Sequence, residues 1–141
     1  MAKTGRFLHS PSNSTPIVGV GTSYDVTKKH QLDMKSFAPF GGAHKFKGFL
    51  ESILFACVNI SGGASKVTVR LCVDANGDYC AVGDVEVPID LGVTTATTGT
   101  CQIYYDSFPF DDILGSDDLY IFYKVDAGNC DISIAQLNWS E

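Results

Sequence analysis

Between Lys66 and Asp74 the chain alternates without interruption: Val67, Val69, Leu71 and Val73 on one parity, Lys66, Thr68, Arg70 and Cys72 on the other. A period of two puts successive side chains on opposite faces, so this segment reads as a half-buried strand. Asp74-Ala-Asn-Gly-Asp78 follows, and Asn76-Gly77 supplies the positive φ that a tight hairpin turn needs. The return strand starts at Tyr79, and a further strand covers Asp84–Leu91, where Pro88 argues for a sheet edge. Phe49–Ile60 is a long apolar run whose first half could be helical, but its β-branched end and the Gly62-Gly63 stop favour strand. Gly92–Gly99 reads as a Thr-rich loop, Thr100–Phe108 and Leu119–Asp126 as strands, and Asp131–Glu141 as the closing strand. In the last of these Ala135, Leu137 and Trp139 share one parity while Ile132 and Ile134 take the other, which predicts a bulge or burial on both faces. Seven or eight strands about 8–12 residues apart, with no convincing helix, indicate an all-β antiparallel β-sandwich, specifically a jelly roll.

With 141 residues, 45% of them apolar and 18% charged, the chain has the balance of a single globular domain. No apolar run is long enough for a membrane helix, and the polar first thirty residues contain no secretion signal. The five cysteines, at positions 57, 72, 80, 101 and 130, therefore read as reduced core residues. Cys72 and Cys80 would face each other across the hairpin, so a disulfide there is the alternative.

Charge divides the chain in two. Residues 1–47 carry seven bases and two acids, whereas residues 48–141 carry three bases and fourteen acids. The first part is rich in Ser, Thr, Gly and Pro, and its scattered apolar residues cannot build a core of their own. It reads as an extended basic N-terminal arm over residues 1–43, with one or two strands, attached to a sandwich domain over residues 44–141. Lys28-Lys29-His30 and His44-Lys45-Phe46-Lys47 place cations beside aromatics, which suits docking on an acidic surface such as the body of an adjacent subunit. The net charge of −6 argues against a nucleic-acid partner.

Catalytic patterns are missing from the sequence. There is no nucleophile elbow and no phosphate-binding loop, and Gly19-Val-Gly21 lacks the third glycine of a dinucleotide fingerprint. The histidines, His9, His30 and His44, are too far apart to converge on a metal from one strand. Asp74, Asn76 and Asp78 resemble the start of a calcium loop, but the twelfth position is Val85 where a bidentate glutamate belongs. They read as a solvated turn, and so do Asp111, Asp112, Asp117 and Asp118, the other group able to hold a hard cation. The expectation is a non-enzyme with no cofactor and no metal.

The last third is dense in aromatics: Tyr104, Tyr105, Phe108, Phe110, Tyr120, Phe122 and Tyr123. Tyr120 and Phe122 share one parity, and Leu119, Ile121, Tyr123 and Val125 the other. One set must be core, which would leave Tyr120 and Phe122 as an exposed oligomer or ligand face.

A small all-β chain with an extended N-terminal arm, no catalytic pattern and a closing strand Asp131-Ile-Ser-Ile-Ala-Gln-Leu-Asn-Trp-Ser-Glu141 resembles the capsid decoration, or cement, proteins of tailed bacteriophages. The resemblance covers the layout of the whole chain and rests on no diagnostic motif. It implies a virion protein, made in the host cytoplasm and located on the capsid exterior. Such a protein binds between major capsid proteins, often as a homotrimer, and stiffens the shell. Arg6, Phe7, Lys28, Lys29, His30, Lys45 and Lys47 would then clamp neighbours, the arm ordering on assembly. The alternative is a carbohydrate- or receptor-binding sandwich; a jelly-roll hydrolase would need convergent polar residues that the sequence does not offer.

Overall fold

The computed structural model describes residues 7–9, 12–33, 49–89, 96–100 and 119–140, and every regular element among them is a strand. In chain order these are β1 (Phe7–His9), β2 (Ile17–Val20), β3 (Lys29–Leu32), β4 (Phe49–Ser61), β5 (Lys66–Cys72), β6 (Cys80–Pro88), β7 (Ala96–Thr100), β8 (Leu119–Val125) and β9 (Asn129–Ser140). They form two antiparallel sheets. In the first the order is β1-β9-β4-β7, with β2 also pairing β9; in the second it is β3-β8-β5-β6. The chain is a β-sandwich.

Its core is the inner parity of each strand. β5 contributes Val67, Val69 and Leu71, β8 contributes Leu119, Ile121, Tyr123 and Val125, and β4 answers from the other sheet with Ile53, Phe55 and Cys57. The Phe55 and Tyr123 rings meet edge to face across the sandwich, centroids 5.8 Å apart, a geometry that sets a positive ring edge on a negative face. Burial of this apolar area is what holds the sheets together, at roughly 25 cal/mol per Å² removed from water.

The hairpin expected at Asn76-Gly77 is present, with Gly77 at φ +77° and Val73 and Tyr79 joined by a backbone hydrogen bond. Both oxygens of Asp74 close it, accepting from the backbone N–H of Asp78 and of Tyr79 at 3.0 and 2.8 Å. The return from the turn is the single strand β6, with register shifts opposite Leu71, where the sequence suggested two separate strands. Pro88 ends that strand on the outer edge of its sheet, where a missing N–H removes no ladder bond from a neighbour. The parity switch in β9 is a bulge: Phe55 faces Ala135 but Cys57 faces Ile132, so β9 fits in one residue more than β4. Ile132, Ala135 and Leu137 are thereby all buried. The Thr-rich stretch expected as a loop is instead strand from Ala96 to Thr100, paired with β4 at a sheet edge, where β-branched threonine is well accommodated. The strand expected from Thr100 to Phe108 lies outside the described residues beyond its first position.

The segment read as an arm contributes to both sheets. Phe7 pairs with Ser140, Asn13 bridges to Ala135, Ile17 pairs with Ile132 and Val20 with Cys130. β1 and β2 are thus two pieces of one interrupted strand running along the edge of β9. The chain then crosses to the second sheet, where β3 pairs β8 from Lys29 opposite Phe122 to Leu32 opposite Leu119. Ile17, Val20 and Leu32 are buried in the common core. Scattered apolar residues that could not form a core alone thus complete one built by the rest of the chain. The expected boundary near residue 43 lies outside the described residues.

Candidate interaction surface

The outward face of the second sheet and the loop crossing to it hold most of the described residues that the sequence singled out. Residues 21–28 connect β2 to β3, and Tyr24 reaches from this loop onto the sheet. Its ring lies under the Arg70 guanidinium, 4.0 Å from the centroid, with the Lys124 ammonium at 4.7 Å, an attraction between cation and ring quadrupole. The Tyr24 hydroxyl donates to Asp84 at 2.7 Å. Arg70 donates to the same carboxylate through Nε at 3.2 Å and Nη2 at 3.1 Å, and Lys124 stands 3.9 Å away.

These contacts set the electrostatics. Burial, together with donation to the charged Asp84, pushes the Tyr24 phenol well above its ordinary value. Asp84 is held below the usual carboxylate range by the Tyr24 hydroxyl, then by Arg70. The cluster joins two cations to one carboxylate and is internally bonded, an arrangement that holds the loop down on the sheet. At this exposure each ion pair contributes modestly, about 1 kcal/mol or less.

The lysines expected to reach for a neighbour serve the same loop. Lys28 Nζ donates to the Val18 carbonyl and Lys29 Nζ to the Val26 carbonyl, each at 2.6 Å. Asp25 accepts from both the N–H and the hydroxyl of Thr27, at 2.8 and 2.7 Å, and these bonds lower its pKa. Under the loop lies an open polar cleft of about 510 Å³, lined by Gly19, Thr22, Ser23, Asp25 and Lys28 among others. Val18 and Val26 stand exposed beside it, and Tyr79 is exposed at the hairpin turn.

His30 and Phe122 differ from expectation most. His30 is buried, in the core and not on a docking face. Its Nε2 lies 2.7 Å from the Thr15 carbonyl and its Nδ1 2.8 Å from the Tyr123 hydroxyl. A carbonyl can only accept, so Nε2 carries the proton and the Tyr123 hydroxyl donates to Nδ1. Phe122 points outward, as its parity requires, yet is only 3% exposed. The β5–β6 turn folds over it, so closely that a Cβ at Gly77 would lie 3.2 Å from the ring, and Lys29 Nζ stands 5.7 Å from its centroid. The expected aromatic platform is therefore covered at Phe122, while Tyr120 is half-buried. Phe7 lies in β1; Arg6, Lys45, Lys47 and the Asp111–Asp118 loop lie outside the described residues.

Cys72 and Cys80 are bonded to each other, directly opposite on β5 and β6. The expectation of reduced thiols there is corrected: the hairpin register brings the two residues face to face, and only the chemistry of the medium remains to close them. Cys57 and Cys130 are free and buried. Among the described residues no three His, Cys, Asp or Glu side chains are grouped as a metal would require.

Burial lowers the pKa of His30. A folded value below the unfolded one, about 6.5, means that the neutral ring costs nothing at pH 7 and above. Below that pH the unfolded chain takes up a proton that the folded chain resists, so stability falls as pH drops. Urea unfolding should show about 1 kcal/mol lost between pH 7.5 and 5.5, bounded by the 1.4 kcal/mol per pH unit of one group. In His30→Gln, less stable at every pH, this slope should flatten; an unchanged slope would assign the effect elsewhere.

The Arg70–Asp84 pair had a readable signal, since Thr68 opposes Glu86 and a count of two along each strand brings Arg70 towards Asp84. Tyr24 had none, being sixty residues from its partner. No protein-family model matches the chain, and no curated protein matches it significantly.

Proposed function

We propose that the chain is a structural virion protein of the capsid decoration type, which binds between major capsid proteins on the shell exterior and associates with copies of itself as a homotrimer. The strand order carries the reading. β2, β9, β4 and β7 lie in one sheet and β3, β8, β5 and β6 in the other. From β2 onward, and apart from the β5–β6 hairpin, successive strands therefore alternate between sheets in the manner of a jelly roll. That architecture is used by capsid and lectin domains. The internally bonded charges of the Tyr24 cluster fit a scaffold that presents a rigid surface. On this reading Arg6, Lys45 and Lys47 are the cations offered to an acidic neighbour. The polar cleft under the 21–28 loop favours a second reading, a carbohydrate- or receptor-binding module, because hydroxyl-lined clefts suit sugars.

The test is co-sedimentation of the purified chain with empty shells assembled from the major capsid protein encoded in the same genome. Saturable binding, with shells made more resistant to heat, is the expected result. A folded chain that stays in the supernatant at every concentration would overturn the reading. Binding on a glycan array by that same chain would favour the second.

A further inference from the structure

We propose that Cys57 and Cys130 form a second disulfide, joining the two long strands at the centre of the first sheet. On the β4–β9 ladder Cys57 faces Ile132 and Val58 faces Asp131, which places Cys130 one residue further along β9, diagonally across from Cys57. Both side chains point into the sandwich and are fully buried, at 1% and 0% exposure. Their ionisations are coupled: interaction with Cys130, then burial, raises the Cys57 pKa.

Two further observations support closure. Cys72–Cys80 is already a disulfide in the opposite sheet, and such bonds persist where the surroundings are oxidising. Any medium that keeps that pair closed acts on the second pair as well. Cys57 and Cys130 also lie on either side of β5, β6, β7 and β8 in the chain, so their bond would enclose most of the second sheet in one loop. The Cys72–Cys80 bond spans eight residues. Loop-closure entropy makes the longer link the more stabilising of the two.

The oxidant is a small-molecule disulfide, such as oxidised glutathione. One cysteine thiolate attacks it, forming a mixed disulfide and releasing one glutathione thiolate. The second cysteine then attacks the protein sulfur of that mixed disulfide and releases the other glutathione. Two protein thiols are oxidised and one glutathione disulfide is reduced to two thiols. In the folded chain both sulfurs are buried out of reach of a dissolved disulfide, so the exchange belongs to folding, before the sheets close.

The experiment refolds the full-length chain from the reduced, denatured state in a glutathione redox mixture. Free thiols are then alkylated in denaturant and the chain is mapped by mass spectrometry without reduction. The expected map contains a Cys57–Cys130 linked peptide beside Cys72–Cys80, with Cys101 alkylated. Alkylation of both Cys57 and Cys130 in molecules whose Cys72–Cys80 bond has formed would overturn the proposal, as would capture of either by Cys101. Thermal unfolding gives a second reading. Reduction should lower the midpoint of the native chain by about 10 °C more than that of the doubly substituted Cys57→Ala, Cys130→Ala chain. Equal shifts would also overturn it. Neither measurement depends on the virion reading.

Discussion

Replacing Tyr123 by alanine is expected to cost the domain about 4–5 kcal/mol, a large share of the roughly 5–15 kcal/mol that holds a typical domain folded. The side chain is fully buried in the centre of β8 and does two things at once. Its ring packs against Phe55 of the facing sheet, and its hydroxyl donates to the buried His30. The alanine variant leaves a cavity between the sheets and an unpaired imidazole nitrogen, and these losses add. Tyr123→Phe separates them: the ring remains, the hydrogen bond goes, and a loss of about 1–2 kcal/mol is expected. Urea unfolding of the three chains measures both. A cost under about 1.5 kcal/mol for Tyr123→Ala would mean that the two sheets do not meet at this ring.

Gly128→Ala should be nearly as damaging, at about 3 kcal/mol or more. Gly128 sits in the turn between β8 and β9 at φ +62°, and a Cβ there would collide with the Ser61 carbonyl oxygen and lie 2.6 Å from Gly62 Cα. Both obstacles are backbone of the neighbouring turn, so relief requires the β4–β5 and β8–β9 turns to move apart. Gly63→Ala is the control. Gly63 has a similar φ of +83°, but a Cβ there would meet nothing within 4 Å, so only the left-handed strain of about 1–2 kcal/mol applies. The difference between the two variants in denaturant midpoint measures the contact between turns. Equal losses would show that backbone conformation alone accounts for both.

Strand positions and their inner faces were legible because their causes are local. Alternation over Lys66–Asp74 orients every side chain of β5 by the pleat alone, and Asn76-Gly77 closes a hairpin through its own backbone preference. Pro88 similarly marks an edge. The Thr-rich stretch reads as a loop because Gly and Thr look alike in a loop and in an edge strand; the partner strand β4 decides between them. Phe122 belongs to the outward parity, as its position in the alternation says, but parity does not report what folds over a face. Its cover is Gly77, on another element.

The site depended still more on distant partners. Lys28, Lys29 and His30 group by charge as a docking patch, and charge is a property of composition. What each group does follows from which carbonyl or hydroxyl the fold brings to it: Val18, Val26, and Thr15 with Tyr123. Tyr24, sixty residues from Asp84, belongs to the same category.

The amino-acid sequence by itself determined an all-β sandwich, its main strands and much of its core, since pleat period, turn preference and hydrophobicity act between near neighbours. Only the tertiary structure decided that residues 12–33 complete both sheets, that His30 and Phe122 are buried, and that Tyr24 reaches Asp84. Those outcomes rest on contacts between residues far apart in the chain, whose formation depends on burying area that no single segment possesses.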